Sequence, residues 1–236
     1  MEGEVVHLEG RIFGEDNRFL YNNRSAPWSA VGKISWNTGH MCSGALVGPR
    51  HVLTAKHCIL NNRTVTFRPG YDNADVFNSS QATHAFVSTK IGDGICDAKE
   101  DWAVLILEKR LGDEVGYFGA KVAERSVADK TVFDHVGYPG DLGKGKRPYR
   151  LSNLVMSEKR WDCDALGPMY TDESDLAGGQ SGGPLFEALE DGSAYIWGVA
   201  STVVSWYQGG QKGGWGRWAS GNNMVTTIAR LREEFP

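Results

Sequence analysis

No run of apolar residues in this 236-residue sequence approaches the ~18 that a membrane-spanning helix needs, so no membrane partner is expected. The opening stretch, MEGEVVHLEG, carries acids and no apolar core, and so does not read as a secretion leader. Charge of one sign is scarce as well. A formal net charge of -4 gives no footing for a nucleic-acid partner or an anionic surface. The basic cluster at residues 144–150 is broken by glycine and reads as a solvated loop. Cysteine is sparse: Cys42, Cys58, Cys96 and Cys163. None lies in a CxxC or beside histidines at zinc spacing, so neither a metal nor a cofactor is expected. An even count still permits two disulfides, in any of three pairings. With sequons at Asn23, Asn62 and Asn78, the cysteines point to an oxidising, secreted setting.

What the chain does hold is glycine, 30 residues of it, in an otherwise ordinary mixture with 41% hydrophobic and 23% charged residues. Glycine adopts positive φ at little cost, which many short strands joined by tight turns require. β-type runs recur at residues 30–36, 42–47, 51–55, 64–67, 102–107, 131–138, 151–156, 183–186 and 195–204, with turn residues between them. This predicts an all-β protein, a barrel or a sandwich. Helical periodicity is strong in one place, where Val225, Ile228, Leu231 and Phe235 recur behind a possible cap at Asn222 or Asn223. A boundary between two strand-rich halves is expected near residues 112–124.

Three segments carry chemistry. CSGALVGPRHVLTAKHC, residues 42–58, ends with His57 beside a cysteine, and its spacing would let Cys42 and Cys58 staple the loop. EDWAVLIL, residues 100–107, sets Asp101 at the head of an apolar strand, where a carboxylate needs a partner such as an imidazole N–H. AGGQSGGPLF, residues 177–186, surrounds Ser181 with glycine, so that the amides of Gly179 and Ser181 could form an oxyanion hole. A serine hydroxyl is a poor nucleophile without a base, and the base needs a third group to set its tautomer. His57, Asp101 and Ser181 supply one candidate for each role. Only a neutral imidazole accepts the serine proton, so activity is expected to rise with pH. His40, His51, His84 and His135 lack such companions and read as core or surface histidines. Asp97 is the fallback carboxylate.

These three segments resemble those of the chymotrypsin-like serine peptidases, with TAKHC where TAAHC or TAGHC is usual. The nearer likeness is to the glutamyl endopeptidase branch. It is carried by RIFGEDNRFLYNNRSAPWSAVGKI at 11–34, VGYFG at 115–119, VGYPGD at 136–141 and GGQSGGP at 178–184. The resemblance runs from Arg11 to Ile228. It implies two six-stranded antiparallel β-barrels with the site in the cleft between them, followed here by the C-terminal α-helix. Residues 11–111 would hold His57 and Asp101, and residues 112–236 Ser181. Residues 1–10 fall outside the resemblance and are expected to be a pro-segment remnant or an artificial extension. His57 is implied as general base and acid, Asp101 as its orienting carboxylate and Ser181 as nucleophile. If Cys42 pairs with Cys58, Cys96 and Cys163 remain for each other.

The implied activity is hydrolysis of proteins or peptides by a monomeric secreted serine endopeptidase. The alternative is a protease-like binding protein that has lost turnover. Gln180 stands where chymotrypsin has an Asp that pairs with the new N-terminus on activation, and Gln cannot form that ion pair. Asp175, Leu176, Ala200, Ser201 and Val203 are expected around the substrate pocket. Relatives that bind a substrate Glu use a His at the position of Ala200 and a Thr or Ser at that of Leu176. A strict Glu preference is therefore not expected. In trypsin-like enzymes an Asp at the position of Asp175 selects Lys or Arg, but relatives in the glutamyl branch also carry Asp there without that selectivity, so a basic preference is not expected either.

Overall fold

A computed structural model describes residues 5–7, 10–60, 63–89, 95–157, 168–172, 174–208 and 211–236. Three short strands come first: β1 (Val5–His7), β2 (Gly10–Arg11) and β3 (Phe19–Leu20). Six more follow: β4 (Val31–Trp36), β5 (Met41–Leu46), β6 (His51–Thr54), β7 (Val65–Pro69), β8 (Ser80–Val87) and β9 (Ala103–Leu107). They close into a barrel in the order β4-β5-β6-β9-β8-β7. The continuous apolar run of β9 is explained by its place between β6 and β8, where all five of its side chains are buried. Ile34, Leu46, Leu53, Phe67 and Leu105 fill the interior.

A short helix α1 (Gly112–Val115) leads to the second half. Its strands are β10 (Gly119–Ala120), β11 (Thr131–Gly137), β12 (Tyr149–Val155), β13 (Met169–Asp172), β14 (Leu176–Ala177), β15 (Pro184–Ala188), β16 (Ala194–Gln208) and β17 (Gln211–Ala219). Six of them form the path β13-β17-β16-β15-β11-β12. Its two ends meet at an antiparallel bridge between Met156 and Thr171, beside the Ser157 amide donating to Tyr170 O at 2.8 Å. The first three strands all pair with this second half: β1 with β16, β2 with β14 and β3 with β12.

Helix α2 (Asn222–Glu234) closes the chain. It follows the second half in sequence but packs on the first. Met224, Ile228 and Leu231 enter the first barrel's core, while Val225 and Phe235 are only partly buried against it. The His51 ring, buried in β6, donates from Nε2 to Leu231 O at 3.0 Å. The N-cap is Gly221 rather than either asparagine. Asn223 instead turns its amide to the Glu100 carboxylate at 2.9 Å. No helix is long and apolar enough to cross a membrane among the described residues.

Candidate active site

His57 sits on a single turn of 3-10 helix, Lys56–Cys58, directly after β6. The disulfide between Cys42 on β5 and Cys58 anchors that turn. Asp101 sits just ahead of β9, the strand that pairs with β6. Strand pairing thus delivers both side chains to one barrel rim. The Asp101 carboxylate accepts twice from His57: from the backbone amide at Oδ1, 2.9 Å, and from ring Nδ1 at Oδ2, 2.7 Å. A carboxylate cannot donate, so Nδ1 carries a proton, which in the neutral imidazole leaves the lone pair on Nε2. The Lys56 amide donates to Asp101 O at 3.2 Å, and its ammonium to Ser88 O at 2.6 Å. The unusual lysine of TAKHC therefore fastens the turn from its outer side.

Ser181 comes from the other half. Its carbonyl accepts from the Ser43 amide at 2.8 Å. The Ser43 carbonyl accepts in turn from Thr54 Oγ1 at 2.8 Å, three residues before His57. Gly182 (φ +77°) lies so close that a Cβ would fall 2.1 Å from Thr54 Oγ1. Only glycine allows this approach of the halves. Gly179 (φ +98°) is held by Ser43 Oγ donating to its carbonyl at 2.7 Å. The amides of Gln180, Gly182 and Gly183 are taken by carbonyls of Ala177, Ala200 and Gln180. Those of Gly179 and Ser181 donate to no protein group among the described residues. Two free N–H groups on one tight glycine loop can receive a developing oxyanion.

Leu176, Ala200, Ser201 and Val203 line a narrow cleft beside Ser181, together with Gly10, Gln180 and Thr202. Leu176 and Ala200 are both buried, so the cleft wall is apolar there. Ser201 has a second task, because its hydroxyl donates to Asp101 Oδ2 at 2.6 Å. Asp175 is not among the lining residues. Its buried carboxylate accepts from the Phe13 amide at 2.7 Å and the Asn17 amide at 2.9 Å. Both oxygens are thereby turned towards the N-terminal segment instead of the cleft. Burial raises its pKa, against the pull of those two amides.

Cys163 and the Cys96 side chain lie outside the described residues, so their expected pairing does too, as does Asn62. Ser43, Thr54 and Arg18 escaped the sequence reading. Each acts through a partner more than ten residues away, and no local pattern marks it. The Asp101 contact of Ser201 escaped it for the same reason. His135, read as an ordinary histidine, is buried and accepts at Nε2 from the Gln180 amide at 3.1 Å while Nδ1 donates to Pro184 O at 3.0 Å.

Comparison with known proteins bears on the family and the fold. The glutamyl endopeptidase of Bacillus licheniformis is 31% identical over 184 residues, covering 75% of this chain and 54% of that protein. The chain thus spans about half the length of the curated relatives it matches. Among solved structures, a Glu endopeptidase in complex with MPD superposes with a TM-score of 0.71 at 24% identity, over 95% of this chain and 100% of the other. Protease Anisep from Arthrobacter nicotinovorans gives 0.65 at 21% identity, over 90% and 99%. These two speak for the fold. The trypsin family model matches residues 17–221, so the chain belongs to the trypsin family of chymotrypsin-like serine peptidases.

Proposed function

We propose that this chain is a secreted serine endopeptidase acting through an acyl-enzyme on Ser181. The observation that carries the reading is the doubly hydrogen-bonded His57–Asp101 pair, standing beside a glycine loop with two uncommitted amides. Ser181 Oγ attacks the scissile carbonyl while His57 Nε2 takes its proton. The Gly179 and Ser181 amides receive the oxyanion. His57 then protonates the leaving amine, and the acyl-enzyme forms. Water, deprotonated by the same imidazole, releases the acid and frees Ser181. Asp101 holds the tautomer and balances the imidazolium charge, with Ser201 Oγ and the His57 amide steadying its oxygens.

The substrates are proteins or peptides, and the side chain before the scissile bond is not restricted to Glu. Leu176 and Ala200 offer a carboxylate no donor, and burying one there would cost several kcal/mol. Asp175, spent on backbone amides, gives no basis for Lys or Arg selection. Secretion fits the disulfide, which persists in oxidising surroundings.

A fluorophosphonate that labels activated serines tests the assignment. Labelling of Ser181, abolished in His57→Ala, is expected, with Ser181→Ala losing about 10⁶-fold in kcat. No labelling even after residues 1–10 are removed would instead support a binding protein without turnover. A loss of only tenfold in Ser181→Ala would remove Ser181 from the mechanism.

Residues 1–10 we assign to a pro-segment. In support, β1 pairs antiparallel with Val203–Ser205, an edge of β16 next to the cleft, and Gly10 lines the cleft itself. An extended segment laid there competes with any peptide that binds by strand addition.

A further inference from the structure

The Arg18 guanidinium is one of the few charged groups sealed inside the molecule, its side chain 1% exposed. Two carboxylates grip it. Asp16 accepts from Nε at 2.9 Å and from Nη2 at 2.8 Å, while Asp141 accepts from Nη1 at 3.0 Å and from Nη2 at 2.6 Å. Nη1 also donates to Gln180 Oε1 at 2.9 Å. Burial alone would pull the Arg18 pKa down, but the two carboxylates more than offset it and hold it above its ordinary value.

Gln180 is fully buried and stands between Gly179 and Ser181, the two residues whose amides are uncommitted. All its polar groups are engaged. Oε1 accepts from Arg18 and, at 3.0 Å, from the Ala177 amide. Nε2 donates to His135 Nε2, which is an acceptor because Nδ1 gives its proton to Pro184 O. The Gln180 side chain is therefore the peg of this loop, and Arg18 fixes which way its amide points. A reversed amide would aim NH₂ at a guanidinium and at an N–H, and oxygen at a lone pair. Each of those contacts is repulsive.

We propose that Arg18 is a positioning residue for the oxyanion hole: through Gln180 it sets the orientation of the Gly179 and Ser181 amides. Resting on the peptidase reading above, this adds that the cation organising the site comes from within the chain. Arg18 touches no reacting atom. Its effect is felt where the oxyanion forms, in the transition state, and little in ground-state binding.

The test is Arg18→Gln and Arg18→Lys in the full chain, on a peptide anilide that the wild type hydrolyses. Expected is a kcat loss of about 10²-fold with KM changed less than about threefold, the size of losing one oxyanion donor. The rate of Ser181 phosphonylation, which passes through the same hole, falls in parallel. The shape of the pH–rate profile stays that of the wild type, because His57 and Asp101 are untouched. Arg18→Lys loses nearly as much, since one ammonium cannot serve Asp16, Asp141 and Gln180 together. Should Arg18→Gln fail to fold, Asp141→Asn is read the same way and expected to give a smaller loss, again in kcat. A folded Arg18→Gln with kcat within twofold of wild type, or a loss confined to KM, overturns the role. Wild-type labelling separates the two levels. A wild type unlabelled even without residues 1–10 removes the peptidase reading, whereas a labelled wild type with an indifferent Arg18→Gln removes only this one.

Discussion

His135 shows what burial does to a single residue. It is wholly enclosed, with Trp218 at 5.1 Å between ring centroids, Gln180 on one nitrogen and the Pro184 carbonyl on the other. Burial first, then the nearby Arg18 charge, push its pKa from 6.5 down to about 4, against the pull of the Pro184 carbonyl. A depressed folded-state value means that the unfolded chain binds the proton more readily. The stability it contributes is complete above about pH 6.5 and is lost as pH falls towards about 4. The gap corresponds to roughly 3 kcal/mol. Burial also depresses buried His51, which adds to the trend in the same direction. Melting temperature measured from pH 7 to pH 4 is expected to fall steeply, and His135→Asn to flatten the curve. An identical pH dependence in wild type and variant would show that His135 has the same proton affinity in the folded and unfolded chain.

Among elements, the one most exposed to damage is the turn that carries His57. It is a three-residue 3-10 helix with no side-chain cap, and its order comes from outside: the Cys42–Cys58 disulfide, Asp101 and Lys56. The disulfide spans 16 residues, which in the chain-entropy model is worth about 3 kcal/mol. Cys42→Ser combined with Cys58→Ser is expected to lower unfolding free energy by about that amount in denaturant titration. The same double variant should lose kcat before it loses fold, because the imidazole is freed to wander. A stability change under 1 kcal/mol, with kcat unchanged, would mean that Asp101 and Lys56 suffice.

At the level of the molecule, the two β halves share one apolar cluster, in which Val136, Phe186, Ile196 and Val199 of the second meet the first barrel's core, and are tied further by Ser43 to Ser181, Ser201 to Asp101, and helix α2 lying on the first barrel. Of the N-terminal segment, Val5–His7 pair with β16 and Gly10 lines the cleft. If it is a pro-segment, removing residues 1–10 raises kcat/KM by at least about tenfold, since a tethered strand competes at a high effective concentration. N-terminal sequencing of the most active form should then begin near Arg11 or Ile12. Full activity with Met1 still present would refute the assignment.

Much of this protein is determined by local chemistry and is therefore legible in its residues. Alternating and continuous apolar runs, with glycine between them, specify an all-β chain. The helical repeat near the end specifies α2, although Met224 rather than Val225 takes the fully buried place, because Met224, Ile228 and Leu231 share one face at i, i+4 and i+7. The His57, Asp101 and Ser181 segments stand out because each needs unusual neighbours: a stapled turn, an apolar strand behind a carboxylate, a run of glycines. Tertiary structure alone decided the partners. Asp175 faces the N-terminal segment instead of the cleft, because two backbone amides 158 and 162 residues away claim its oxygens. Arg18, Asp141, Gln180 and His135 become one network only after β3, β11 and β15 come together, since hydrogen bonding depends on distances that sequence separation does not encode.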